Sequence, residues 1–127
     1  MKYIIEFNGT SKRQPEGDAP IVSMNKLYAS PNWRVRNKIK DLYHEIFSNK
    51  IREAFMDKME SFDLRIEYNN GMDVDNLVIM GKLLVDAMRK EGIVKDDTPV
   101  YYKSLSIQFN KELPKNKVLF YINGEEE

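Results

Sequence analysis

The chain has 127 residues, of which 42% are hydrophobic and 31% charged, and its twenty Lys or Arg balance twenty Asp or Glu. That is one domain's worth of sequence around one modest core, which excludes a disordered or membrane-embedded protein. Cysteine is absent and His44 is the single histidine, so disulfides, thiolate zinc sites and histidine-rich metal sites are excluded and any metal must be held by oxygen.

Tyr3 to Phe7, rich in Ile and Tyr, predicts an opening strand. Its apolar character is soon broken by Glu6, and the longest apolar run, Leu77 to Met80, is far too short to cross a bilayer. The chain is therefore expected to be cytoplasmic, with no membrane partner. Gly9, Pro15, Gly17 and Pro20 punctuate a polar loop. A long helix follows, with Asn32 as its cap and Val35, Ile39, Leu42, Tyr43, Ile46 and Phe47 at helical spacing; the pattern extends toward Ile51, Ala54, Phe55 and Met59.

Phe62, Leu64, Ile66 and Tyr68 alternate with Asp63, Arg65 and Glu67, which predicts a strand with one buried face. Asn69-Asn70-Gly71 ends it. Leu77 to Lys90 predicts a second helix, basic at its end and stopped by Gly92. Two closing strands, about Val100 to Phe109 and Val118 to Ile122, flank a polar loop with Pro114 and are expected to form a hairpin. Gly124 to Glu127 reads as a frayed acidic tail. The order implies a single α+β domain, with a mixed or antiparallel four-stranded sheet packed by two main helices.

Charge is unevenly spread: residues 1–60 carry eleven Lys or Arg against eight Asp or Glu, and residues 61–127 carry nine against twelve. Arg34, Arg36, Lys38 and Lys40, beside Tyr28 and Trp33, are a candidate nucleic-acid contact through phosphates; a solvated helix face is the plainer reading. His44 on the same helix reads as structural.

The chemistry concentrates in Met72-Asp73-Val74-Asp75-Asn76-Leu77, Lys82, Asp86 and Asp96-Asp97. In an extended segment Asp73 and Asp75 leave the same face and can converge on one cation. Asp75 or Asn76 suits the cap of the following helix, whose positive end favours phosphate. If the strand after Asp96-Asp97 lies beside the one ending at Tyr68, the carboxylates can meet, and such oxygen donors suit Mg²⁺. Lys82 falls seven residues after Asp75, within roughly 20° of the same helical face, where its ammonium can stabilise charge on a phosphate. Caps, a polar turn and an exposed Lys82–Asp86 pair are the ordinary alternatives. A calcium-binding EF-hand loop starting at Asp73 fails, because Val78 and Leu84 stand where it needs Gly and Glu.

Taken together, Asp73-Val74-Asp75-Asn76-Leu77, Lys82, Asp86-Ala87-Met88, Gly92-Ile93-Val94 and Asp96-Asp97 resemble the motif region of the RusA family of Holliday junction resolvases, often carried by phages and prophages. Ser23-Met24-Asn25, Tyr28 and Trp33 resemble the family's N-terminal region more loosely. The resemblance implies one RusA-like nuclease domain over residues 1–127, acting in DNA recombination and repair. It implies a homodimer that makes paired cuts in a four-way junction with Mg²⁺, Mn²⁺ being a substitute, and with no small-molecule cofactor. It places metal-binding and catalytic roles on Asp73, Asp75 and Asp97, with Asp96 as a further metal-binding acid. The catalytic lysine of well-known members lies four residues after the second aspartate, where this chain has Ile79. Lys82 keeps the family's four-residue spacing to Asp86 and is the expected replacement. The segment before Asp73, often arginine-rich in the family, is Asn69-Asn70-Gly71-Met72 here. A DNA-binding protein of the same fold with weak or no nuclease activity is the alternative.

Overall fold

Four apolar residues at every second position, Phe62, Leu64, Ile66 and Tyr68, are all buried, and the strand that carries them lies inside the sheet. The computed structural model describes residues 1–9, Gly17 and residues 33–126. The elements run β1 (Lys2–Asn8), α1 (Trp33–Glu53), β2 (Ser61–Asn69), α2 (Val74–Lys90), β3 (Tyr102–Phe109) and β4 (Lys117–Glu125). The Asn32 cap, most of the expected polar loop, Ser23-Met24-Asn25, Tyr28 and Glu127 fall outside the described residues, as does the Trp33 side chain.

One mixed sheet forms with the strand order β1-β4-β2-β3. The fold is therefore α+β, as expected, with two main helices and four strands. The two closing strands do not form the expected hairpin. β4 inserts antiparallel between β1 and β2, and β3 pairs with β2 in parallel. Val118, Leu119, Phe120 and Ile122 are all buried, so this inner strand is shielded on more than its helix-covered face. A parallel neighbour needs a long crossover, and α2 supplies it between β2 and β3.

The tail is shorter than expected, because β4 continues to Glu125, paired with Ser61. Gly124 permits this: a Cβ there would lie 2.7 Å from the Met59 sulfur.

Both helices supply apolar stripes to one core. Phe47 of α1 packs edge-on against Phe120 with ring centroids 5.5 Å apart, and against Phe7 at 5.7 Å. Gly81 lets α2 lie close to the sheet, since a Cβ there would meet Ile66 Cδ1 at 3.1 Å. On the opposite sheet face Lys2, Ile4, Arg65, Ser104 and Ser106 are exposed, and the Arg65 guanidinium stacks 4.2 Å from the centre of the Tyr121 ring.

The two helices stop in the same way. In α2 the Gly92 amide donates to Arg89 and the Ile93 amide to Met88, with Gly92 at φ +74°. In α1 the Phe55 amide donates to Arg52 and the Met56 amide to Ile51, with Phe55 at φ +52°. That ending places Ala54, Phe55 and Met59 beyond the helix. No helix among the described residues is long and apolar enough to cross a membrane.

Candidate functional site

Helix α2 begins earlier than its apolar pattern predicts. Its N-cap is Asp73, extended at φ −72° and ψ 154° with no capping bond from its side chain, and Asp75 already lies in the first turn. The alternation that would put Asp73 and Asp75 on one face therefore does not apply, and neither Asp75 nor Asn76 is the cap. Asp73 sits by the end of β2, close enough for its charge, with burial as the larger cause, to hold the Tyr68 phenol above its ordinary range. Both carboxylates are exposed, and among the described residues neither enters an ion pair.

Asp75, Val78, Lys82, Val85 and Arg89 follow one another at three- and four-residue steps, so they form one face of α2. Val78, Lys82 and Val85 line a groove of about 200 Å³ against Asp97, Tyr102 and Leu105. Lys82 and Asp97, both read from the sequence as site residues, thus share one cavity. Tyr102 was not foreseen there; burial pushes its phenol up to about 12, so it lines the groove as a neutral hydroxyl.

Asp96 and Asp97 are organised by backbone and by Arg89. The Asp97 amide donates a 2.8 Å hydrogen bond to Asp96 Oδ1, and this bond, ahead of the Arg89 charge, holds the Asp96 carboxyl below its ordinary value. The guanidinium of Arg89 stands 3.7 Å from Asp96, 3.6 Å from Asp97 and 3.8 Å from Asp86. The exposed Lys82–Asp86 pair is not formed, because Asp86 turns toward α1 and meets His44 Nε2 at 3.5 Å. Arg89 was missed in the sequence, although its seven-residue step from Lys82 was a usable signal.

The two acidic pairs do not meet within one chain. β3 lies beside β2, but the pairing is parallel, with Tyr102 opposite Phe62 and Phe109 opposite Tyr68. The residues that precede β3 therefore reach the starting end of β2, whereas Asp73 and Asp75 follow its far end. From Asp75 to Arg89, which holds Asp97, α2 rises roughly 21 Å. Among the described residues no group of three or more His, Asp or Glu is placed to hold a metal ion. The donor chemistry suits Mg²⁺, which takes one or two protein carboxylates and completes its shell with water and phosphate, but all four acids of one chain do not fit a single ion.

On α1, Arg34 and Lys38 are exposed and Arg36 and Lys40 half-buried. His44, one turn beyond Lys40, accepts a 2.9 Å hydrogen bond at Nδ1 from the Lys90 ammonium.

No protein-family model and no curated protein matches the sequence. Among solved structures the chain is similar to hydrogenase maturation protein HypE in complex with ATP, at 12% identity and a TM-score of 0.43. The alignment covers 99% of this chain and 30% of that one, so the chain spans less than a third of that protein's length.

Proposed function

We propose that this chain is a cytoplasmic Mg²⁺-dependent endodeoxyribonuclease of the RusA type, which resolves four-way DNA junctions as a homodimer. The observation that carries the reading is the groove in which Lys82 and Asp97 face one cavity, with Asp75 farther along the same face of α2. The resemblance of these positions to the family's motif gives the arrangement its chemical meaning.

A two-fold dimer brings together what one chain keeps apart. With two copies of α2 antiparallel across the axis, the Asp73/Asp75 end of one faces the Asp96/Asp97 end of the other. The surface suits such a partner. Val74 and Phe109, outside the groove, are 47% and 53% exposed along α2 and β3, and among the described residues β3 is an edge strand.

When bound, Mg²⁺ would supply an activated water and charge neutralisation at the phosphate. The remaining work falls to the chain. Exposed carboxylates at the start of α2 would offer hard oxygen donors, and the Lys82 ammonium, beside the apolar side chains of Val78, Val85 and Leu105, would stabilise charge developing on a phosphate oxygen. Incubation of a labelled four-way junction with protein and Mg²⁺ or Mn²⁺ is expected to give paired symmetric cuts, abolished in Asp75→Asn and strongly slowed in Lys82→Gln.

One observation favours a second reading. Asp97 stands beside Arg89 and apart from Asp73 and Asp75, the arrangement expected of a junction-binding protein of the same fold that does not cut. Junction binding that persists in EDTA, with no incision at any concentration of either metal, would select it.

A further inference from the structure

We propose that the cavity between α1 and the end of α2 binds a backbone phosphate of the DNA strand as it leaves the α2/β3 groove. The proposal deepens the reading above and rests on it for the identity of the polyanion. The cavity has a volume of about 390 Å³ and is lined by His44, Asp86, Arg89, Lys90 and Lys95. Three fixed cations therefore surround one carboxylate, and that carboxylate already faces His44 and Arg89.

The donors of this cavity are only partly spent. At 3.6–3.8 Å from its three carboxylates, the Arg89 guanidinium is attracted to them but is beyond hydrogen-bond distance. Its Nε and Nη1 face those carboxylates, and among the described residues Nη2 enters none of the pairs and can donate to a phosphate. Lys90 uses one of its three protons on His44. Lys95 is exposed and, among the described residues, unpaired.

Geometry ties the cavity to the groove. Arg89 lines the cavity and also touches Asp97, which lines the groove. Lys82 and Arg89 lie on one face of α2, seven residues and roughly 10.5 Å apart along the axis. On the other side Arg36 and Lys40 lead along α1 to His44 at four-residue steps, extending the basic track. Asp41 is the other acid near His44. An open rim of long, mobile side chains fits a phosphate carried by a polymer better than a free anion, which needs enclosure to be held.

The test is DNA binding in EDTA, where incision plays no part, measured over a range of salt concentrations with a four-way junction and a plain duplex. Lys90→Gln and Lys95→Gln are each expected to weaken binding about five-fold at near-physiological salt and to reduce the log–log salt slope by about one. Lys2→Gln, on the opposite sheet face, is the control. Slopes that stay at the wild-type value, or fall no more than in Lys2→Gln, overturn the proposal. Inorganic phosphate provides the second arm: stabilisation of the wild type but not of the two variants, with unchanged DNA slopes, would assign a small-anion site and equally overturn it. An incision assay keeps the two readings separate. Reduced slopes without any cutting by the wild type sink the nuclease and leave the phosphate contact standing, whereas cutting with unaltered slopes does the reverse.

Discussion

The Lys90 ammonium donates a 2.9 Å hydrogen bond to Nδ1 of His44, which fixes a neutral imidazole with its proton on Nε2, facing Asp86 at 3.5 Å. A protonated ring would have no lone pair for Lys90 and would set two cations side by side. Burial first, and then the Lys90 charge, hold the imidazole below the ordinary value of 6.5, and the nearby Asp86 and Asp41 oppose this without reversing it. Because the folded state then binds fewer protons than the unfolded chain, the contribution of His44 to stability is complete above pH 6.5 and is lost as the pH falls through the lowered folded value. An NMR titration of the His44 ring is expected to give a midpoint below 6.5, which rises in Lys90→Gln. A midpoint that ignores the Lys90 substitution would mean the hydrogen bond does not exist in solution.

The matched endings of the helices give opposite predictions for two substitutions. Gly92 at φ +74° adopts the left-handed conformation without penalty, whereas Phe55 adopts it at φ +52° with a bulky side chain that is 84% exposed and contributes little packing. Gly92→Ala is expected to destabilise the fold by about 1 kcal/mol. Phe55→Gly is expected to stabilise it by roughly 0.5–1 kcal/mol, the relief of strain being partly offset by the greater freedom of glycine in the unfolded chain. Urea denaturation midpoints of the two variants, moving in opposite directions, check both.

Gly81 sets how closely α2 rests on the sheet, and so how deep the groove beside Lys82 is. Ile66 Cδ1 would stand 3.1 Å from a new Cβ and Leu64 Cδ2 3.5 Å from it. Gly81→Val brings further methyl groups into filled space and is expected to cost about 1–3 kcal/mol, even though valine is the better helix former. Thermal unfolding measures the cost. An equally stable Gly81→Val protein would mean that α2 sits farther from β2 than the 3.1 Å approach to Ile66 implies.

Local periodicity made much of this fold legible. The alternation of Phe62 to Tyr68 and the stripe from Leu77 to Met88 required only neighbouring residues to be read. What escaped depends on which strand lies beside which. Val118 to Ile122 would look the same next to β3 or between β1 and β2, except that Leu119 is buried as well, a sign that this strand is central. The start of α2 was misplaced because Asp73 caps it with backbone conformation alone, leaving no side-chain bond for a motif to reveal. The candidate site suffered most. Helix spacing set Lys82 on the face of Asp75, and strand adjacency was to bring Asp97 to the same acids; Lys82 and Asp97 do share a groove, but whether Asp97 could reach Asp75 turned on the direction of β3, and the sequence carries no local mark of direction. Arg89, Lys90 and Lys95 read as a basic helix end; their convergence with His44 is a property of how α1 packs on α2.

The parallel pairing of β2 with β3 makes a sharp prediction about subunit cooperation. If the acids act together only across a dimer axis, Asp75→Asn and Asp97→Asn homodimers each carry two damaged sites and are both expected to be inactive. In a mixed dimer, one site combines both substitutions and the other combines none, because the intact Asp75 of one subunit faces the intact Asp97 of its partner. Mixing the two inactive proteins under conditions that exchange subunits is therefore expected to restore cutting at one of the two positions in a four-way junction, giving single nicks in place of the paired cuts proposed for the wild type. Sites contained within single chains behave differently, since each subunit of the mixed dimer would still carry one substitution and no activity would return. Exchange itself is checked independently by mass, with one variant isotopically labelled, so that a silent mixture of proven heterodimers would exclude the shared site.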